Sequence, residues 1–228
     1  MIRIHEVHKN FGNHIVLNGI SFEVTDNEIV VILGPSGTGK TVLLKIIAGL
    51  IKPDSGSIFF DGKALDQMVP DEIYELRKQI GFVFQGSALF DSLTVYENIG
   101  IAIEEHTNWK RGKKQERIKQ ILEIIGLPNK HRLRPKDLSG GMMKLVGIGR
   151  ALALDPPYLF YDEPTVGLDP IMKSRITELI ITFRDQYQKS GIVVTHDLET
   201  AQLIGSKLYM LKSGKIQKIS TIAKEKYE

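Results

Sequence analysis

Apolar positions along the chain follow two rhythms. Near the start, Ile2, Ile4 and Val7 are sparsely spaced, and Ile20, Phe22 and Val24 alternate with Ser21 and Glu23. A period of two is the sign of half-buried strands. Ile29-Val30-Val31-Ile32-Leu33 is then an unbroken apolar run, mostly β-branched. Such a run suits a strand buried on both faces of a parallel sheet. A glycine-rich turn follows, and then Thr41 to Leu50, rich in helix formers. Strand, glycine loop and helix open an α/β unit. Ser57 to Phe60 and Ile80 to Phe84 read as further short strands.

From about Gly86 to Asp137 the rhythm changes. No strong strand pattern is present, and Ile118, Ile121, Leu122 and Ile125 fall at i, i+3, i+4 and i+7. That is the stripe of an amphipathic helix, so the spacing predicts a helical insertion over 86–137 between α/β portions at 1–85 and 138–228. The sheet pattern returns at Tyr158-Leu159-Phe160-Tyr161 and at Ile192-Val193-Val194. Leu208 to Leu211 and Ile216 to Ile219 flank the turn Lys212-Ser213-Gly214-Lys215 and read as a closing hairpin. Ala223 to Glu228 reads as a solvated tail.

Composition narrows the classes. With 228 residues, 42% of them hydrophobic and 25% charged, the chain holds enough apolar material for a core without covalent staples. Cysteine is absent, which excludes disulfides, thiolate metal sites and cysteine nucleophiles. Thirty Lys+Arg against 27 Asp+Glu leave a net charge of +3, too small an excess to argue for nucleic acid. Met1-Ile2-Arg3-Ile4-His5-Glu6 lacks the apolar core of a secretory signal. The most apolar segment, Val42 to Ile51, contains Lys45 and falls far short of the ~18–20 residues a membrane span needs. Any membrane part is therefore expected from another chain.

Two segments carry candidate chemistry. Gly34-Pro35-Ser36-Gly37-Thr38-Gly39-Lys40-Thr41 matches the G-x-x-x-x-G-K-[ST] pattern at every fixed position. Glycines let the backbone turn its N–H groups inward as a nest for phosphate oxygens. The following helix adds its positive end. Lys40 supplies a point charge to the β- and γ-phosphates, and Thr41 offers a hydroxyl to Mg²⁺. At the end of the second buried run, Asp162-Glu163 is delivered to the carboxyl edge of the sheet, where ligands of open α/β folds bind. Asp162 is a candidate for holding Mg²⁺, and Glu163 for polarising an attacking water.

In this order the motifs resemble the nucleotide-binding subunits of ABC transporters, over almost the whole chain. The resemblance implies a P-loop NTPase of the α/β class, with a mainly parallel sheet, an antiparallel β edge and an inserted helical subdomain. It implies hydrolysis of ATP with Mg²⁺. Phe11 matches the aromatic that stacks on adenine. Gln85 matches the glutamine that touches Mg²⁺ and couples to the transmembrane partner, so Thr41, Gln85 and Asp162 form the implied metal set. Leu138-Ser139-Gly140-Gly141 matches the signature sequence, and Gly167-Leu168-Asp169 the loop that crosses the dimer interface. His196 matches the histidine that reaches the γ-phosphate. Taken by itself, Ser139 is a good N-cap, and a helix start with a bare backbone is an anion site. The family joins the two phosphate surfaces in a head-to-tail dimer, each ATP held between Lys40 of one copy and Ser139 of the other. A capped structural helix would account for Ser139 but not for the paired glycines.

The chain also departs from the family pattern. Met142 stands where glutamine is usual, and Leu145 where many members carry arginine or lysine. An LSGGM signature resembles the subgroup serving envelope lipid transporters with mammalian-cell-entry (MCE) domain partners, the system for maintenance of lipid asymmetry. Residues 86–93 and 160–165 are similar to the same subgroup. The implied partners are a second copy of the chain, an integral membrane permease and an MCE-domain protein. The implied location is peripheral, on the cytoplasmic side of the cell membrane. Another transported solute is the alternative, and a soluble member of the family acting on nucleic acid or ribosomes is a third class. That class usually carries two cassettes or a long coiled-coil insertion, neither of which is present. Lys110-Arg111-Gly112-Lys113-Lys114 reads as a solvated loop. The Gly86 to Glu97 segment, directly after Gln85, suits docking of a membrane subunit through the exposed-looking Leu89, Phe90, Leu93 and Tyr96; the alternative is that these side chains are subdomain core.

Overall fold

The computed structural model describes residues 1–219; the expected tail at 223–228 lies outside them. The chain runs β1 (Ile2–Phe11), β2 (His14–Val24), β3 (Ile29–Leu33), α1 (Lys40–Ile47), β4 (Ser55–Phe60), β5 (Lys63–Ala64), α2 (Pro70–Lys78) and β6 (Ile80–Val83). It continues through α3 (Val95–His106), α4 (Arg111–Ile124), α5 (Gly140–Ala151), β7 (Tyr158–Asp162), α6 (Pro170–Asp185), β8 (Ser190–Thr195), α7 (Leu198–Ile204), β9 (Lys207–Lys212) and β10 (Lys215–Ile219). Short 3₁₀ turns lie at Leu65–Gln67 and Pro135–Asp137.

Two sheets form. The first is antiparallel, in the order β2-β1-β4-β5, and the second has six strands in the order β10-β9-β3-β8-β7-β6. In the second sheet β3, β6, β7, β8 and β9 are parallel, and β10 returns antiparallel on β9. This is the expected parallel core with an antiparallel β portion, a helical insertion and a closing hairpin.

The β3 run is unbroken because both of its faces are covered. Val30 and Ile32, with Phe160, Ile192 and Val194, pack against α1 and the antiparallel sheet through Leu43, Leu44, Ile47, Ile2 and Ile4. Ile29, Val31 and Leu33, with Leu159, Tyr161 and Val193, pack on the other face against residues of α3 to α6, among them Ile99, Ile121, Leu145 and Ile176. Ile118, Ile121, Leu122 and Ile125 all lie in that second core, as their spacing predicts. Two helices carry no apolar stripe, whereas α6 carries one, with Ile176, Leu179, Ile180 and Phe183 at i, i+3, i+4 and i+7. Helix α2 buries only Leu76, and α7 is short, about two turns, and capped by Asp197. Helix α6 begins Asp169-Pro170, a cap followed by proline at the first helical position, which is a start signal in its own right.

The parallel register sets up everything that follows. Val83 stands opposite Tyr161, Asp162 opposite Val194, and Leu33 opposite Thr195. The carboxyl ends of β3, β6, β7 and β8 therefore share one edge, where open α/β sheets bind ligands. The sheet tolerates little added bulk at Gly191, where a Cβ would meet the Leu159 carbonyl oxygen at 2.2 Å. Gly191→Ala is expected to cost about 1–3 kcal/mol through overpacking, read as a lowered denaturant midpoint with an unchanged slope.

Candidate functional site

The loop after β3 is held by contacts only glycine permits. A Cβ on Gly34 would sit 2.5 Å from the Leu211 oxygen. Gly39 has a φ of +98° and would meet Val16 at 2.6 Å. Gly39 caps α1 without a side-chain bond, and the first turn carries no acid. The leading N–H groups of the helix therefore face an anion with no competitor. Lys40 is 5% exposed. Its ammonium donates to the carbonyls of Gly34 (2.7 Å) and Pro35 (3.0 Å) and lies 3.1 Å from Glu163 Oε1.

The acids arrive from β7. Thr41 Oγ1 donates to Asp162 Oδ1 at 2.8 Å. Burial pushes the Asp162 carboxyl above its ordinary range; the Thr41 bond opposes this, Glu163 adds to it, and Lys45 and Lys40 oppose it. Glu163 is also buried and holds a φ of +47°, a left-handed backbone that costs a side-chain-bearing residue about 1–3 kcal/mol. Its N–H donates to Val194 O at 2.9 Å. Oε2 accepts from the His196 backbone N–H at 3.3 Å and lies 3.1 Å from His196 Nδ1. The His196 side chain is half exposed. The chain thus brings Lys40, Thr41, Asp162, Glu163 and His196 into one cluster. Thr41 and Asp162 offer hydroxyl and carboxylate oxygens in contact, a donor set that fits Mg²⁺ sharing ligand phosphates. Among the described residues no group of three or more His, Cys, Asp or Glu gathers for a metal, so an ion here would need such outside oxygens. Gln85, at the end of the neighbouring β6, is exposed.

The second surface lies apart. Ser139 caps α5 and accepts from the Met142 N–H at 3.3 Å. Gly140 faces open space, whereas a Cβ on Gly141 would meet Met172 Cγ at 2.5 Å. Ordinary packing against α6 therefore accounts for one of the paired glycines, contrary to the reading that a structural helix explains neither. Asp169 caps α6, accepting from the Met172 N–H at 3.0 Å. Met172 thus joins the Ser139 turn to the Gly167–Asp169 loop. Among the described residues no hydrogen bond or ion pair links Ser139 or Gly140 to residues 34–41. Phe11 stands at the tip of the β1–β2 hairpin, 51% exposed, with Lys9 Nζ over its ring at 5.4 Å.

Sequence reasoning missed Lys144. Leu145, marked as the place of an absent basic side chain, is a fully buried core residue. The preceding Lys144 carries the cation instead. It is 6% exposed, donates to the Gln85 carbonyl and to the Glu163 carbonyl (3.3 Å), and among the described residues forms no side-chain ion pair. Burial pulls its pKa down, while Asp162 and Glu163 oppose that. No local pattern announces it, because the Gln85 carbonyl it reaches lies 59 residues away. Two other expectations need correcting. Arg111 to Lys114 form the first turn of α4, with Lys113 over the Trp109 ring at 4.1 Å and Lys114 paired with Glu104, and are not a loop. Of Leu89, Phe90, Leu93 and Tyr96, only Phe90 is exposed. The loop holding the first three is fixed by Arg150, which donates to the Ser87 and Ala88 carbonyls, and by buried Asn98, which bonds Phe90.

A family model described as ABC transporter matches residues 17–166. The chain is 41% identical to the protein trigalactosyldiacylglycerol 3, chloroplastic, of Arabidopsis thaliana, over 95% of this chain and 67% of that protein. It is 36% identical to the intermembrane phospholipid transport system ATP-binding protein of Haemophilus influenzae, over 90% and 78%. It is 35% identical to a probable ribonucleotide transport ATP-binding protein of Mycobacterium leprae, over 92% of this chain but 60% of that one. A solved ATP-binding cassette, dimeric in a post-hydrolysis state with ADP and Pi, superposes with a TM-score of 0.87 at 31% identity, covering 97% of this chain and all of that one.

The buried Asp162 carboxylate carries a testable cost. Its folded pKa is raised, so the ionised form weakens folding at neutral pH, and this penalty is absent below the unfolded value. Asp162→Asn is expected to raise the melting temperature of the nucleotide-free chain by roughly 2–4 °C. The same variant should lose the further rise that Mg²⁺ adds in the presence of nucleotide, measured by thermal scans with and without a chelator.

Proposed function

This chain belongs to the ABC transporter family, and from that premise we propose that it is the ATP-hydrolysing subunit of an envelope transporter that moves phospholipid between membranes. The observation that carries the hydrolytic part is the bridging Glu163 carboxylate, 3.1 Å from Lys40 Nζ on one oxygen and 3.1 Å from His196 Nδ1 on the other. Lys40 and the Ser36 to Thr41 backbone hold the phosphates. Thr41, Asp162 and Gln85 would hold Mg²⁺, which supplies charge neutralisation at the β- and γ-oxygens when bound. Glu163 takes the proton of the attacking water. A bond forms from that water oxygen to the γ-phosphorus, and the bond from γ-phosphorus to the bridging oxygen breaks, leaving ADP and inorganic phosphate. His196, half exposed, is free to donate to the γ-phosphate and orient it.

The remaining half of the site comes from a second copy. Ser139 and Gly140 are exposed, and Asp169 lies on the same flank through Met172. A head-to-tail pair would set Ser139 to Gly141 of one copy against the nucleotide on Lys40 of the other, with Phe11 on the adenine. ATP touches both copies and favours the closed pair; hydrolysis removes the bridge. The segment from Gly86 to Glu97, directly after Gln85 in the 86–137 insertion, is the proposed docking region for the permease. No described helix is long and apolar enough to cross a membrane. The chain then sits peripherally, on the cytoplasmic face, through that permease.

The phospholipid cargo and the MCE-domain partner rest on the Haemophilus relative and on Met142. The Mycobacterium relative, whose name specifies ribonucleotide transport, favours a second reading, the same ATPase serving another solute. Purification with the permease decides between them: co-purifying phospholipid and an MCE-domain protein are expected, and a lipid-free complex that carries a ribonucleotide across a liposome membrane at the expense of ATP would favour the second. Glu163→Gln is expected to bind ATP, persist as a dimer in size-exclusion chromatography, and lose roughly 10²–10⁴-fold in kcat. Near-normal turnover would remove Glu163 from its role. Wild-type turnover per chain should fall on dilution, since the active centre belongs to the pair.

A further inference from the structure

Lys144 lies five residues beyond the Ser139 cap, in the second turn of α5. Its ammonium ends at two neighbouring strand termini, on the carbonyl of Gln85 after β6 and the carbonyl of Glu163 after β7. Ordering a long lysine side chain costs rotamer entropy. Burying its charge without a paired carboxylate costs more. Nothing in the packing of α5 demands a cation there, since its neighbours Leu145, Val146 and Ile148 are fully apolar and buried.

What the ammonium holds is the strained residue. Glu163 keeps its left-handed φ of +47°, and the direction of its carboxylate follows from that backbone. On one side its N–H is fixed on Val194 O at 2.9 Å. On the other, among the described residues, its carbonyl has only Lys144 at 3.3 Å and a long bond from the Val166 N–H at 3.4 Å. We infer that Lys144 is a positioning residue for hydrolysis, acting through Glu163: it pins the Glu163 main chain so that the carboxylate stays between Lys40 and His196. The same rigid helix carries Ser139, about 7.5 Å away along its axis at 1.5 Å per residue. A tilt of α5 that seats Ser139 on a partner's nucleotide moves the ammonium relative to the Glu163 carbonyl. One lysine thereby couples docking of the pair to the set of the general base.

This rests on the hydrolytic reading above, and the test separates the two. Full-length wild type, Lys144→Met, Lys144→Arg and Lys144→Gln are compared for steady-state ATP turnover, together with Lys144→Met in the Glu163→Gln background. Lys144→Met is expected to lose roughly 10²-fold in kcat, the penalty of a group misplaced by about 1 Å, with KM for ATP held within a factor of about three. Lys144→Arg should recover turnover to within about tenfold of wild type. Added to Glu163→Gln, Lys144→Met should cause no further loss, the non-additivity of two residues acting as one unit. The inference is overturned by wild-type turnover in Lys144→Met, by kcat and ATP affinity falling together, or by additive losses in the double variant. Should Lys144→Met fail to fold, Lys144→Gln decides: a folded Gln variant with lowered kcat supports the role, and one with wild-type kcat overturns it. A wild-type chain that binds but never turns over ATP overturns the hydrolytic reading and this inference with it.

Discussion

The buried ion pair between Lys40 and Glu163 is the contact on which the rest of the arrangement turns. Both side chains are more than nine-tenths withdrawn from water, at 5% and 8% exposure, and stand 3.1 Å apart. A buried pair of this kind gives little net stability, because desolvation cancels most of the attraction. It survives here because each partner is also hydrogen-bonded: Lys40 to two carbonyls of its own loop, Glu163 to the His196 backbone. The pair can form only because β3 and β7 end at the same edge, separated by β8, with Leu33 opposite Thr195 and Asp162 opposite Val194. A slip of one residue in either ladder would turn Asp162 and Glu163 to the wrong faces.

That edge concentrates cost. Lys40, Lys144, Asp162 and Glu163 are all buried there, two cations with two carboxylates, and only the Lys40–Glu163 pair is in direct ionic contact. Asp162 is held by a hydroxyl and Lys144 by carbonyls. Glu163 adds backbone strain. The hydroxyls of Tyr161 and Thr165, on either side of the acid pair, are buried without a partner among the described residues, each worth about 1–3 kcal/mol unmet. The two apolar cores on opposite faces of the parallel sheet offset this debt. A stretch of sheet edge this unfavourable for folding is expected where charge must be presented to a ligand in a dry setting.

The elements legible in the sequence are those whose partners lie on both sides or within one turn. The β3 run announces itself because every residue is covered, and the α4 stripe because Ile118, Ile121 and Leu122 face one core. Helix α2 was silent because only Leu76 reaches the interior, so no period emerges. Helix α6 was legible on two counts that the strand pattern around it masked: Asp169-Pro170 marks its start, and Ile176, Leu179, Ile180 and Phe183 repeat at helical spacing. The basic residues from Arg111 to Lys114 lack any apolar neighbour in sequence, and a helix's first turn there looks like a loop. Gly141 looked like half of an anion site until Met172, from another helix, was seen against it. Lys144 was beyond reach by pattern alone: its Gln85 partner is 59 residues away, and no local rhythm tells a lysine that bends inward from one that faces water.

The two anion-seeking surfaces of the chain also bear on why a single copy would be incomplete. Helix α1 and helix α5 both begin without an acid in the first turn, so both leave partial positive charge at their starts. The α1 terminus is enclosed by its own loop and by Lys40. The α5 terminus is not: Gly140 has nothing within 4 Å of where a side chain would be, and Ile171 beside the adjoining loop is 83% exposed. Among the described residues of one chain the Ser139 turn has no hydrogen bond or ion pair to the α1 loop, yet Lys144 ties the body of α5 to the residue that faces Lys40. The helix is thus anchored at the chemistry and bare at its tip. On the proposed reading, a negative ligand seated on another copy would satisfy that tip, and the anchor would carry the consequence to Glu163.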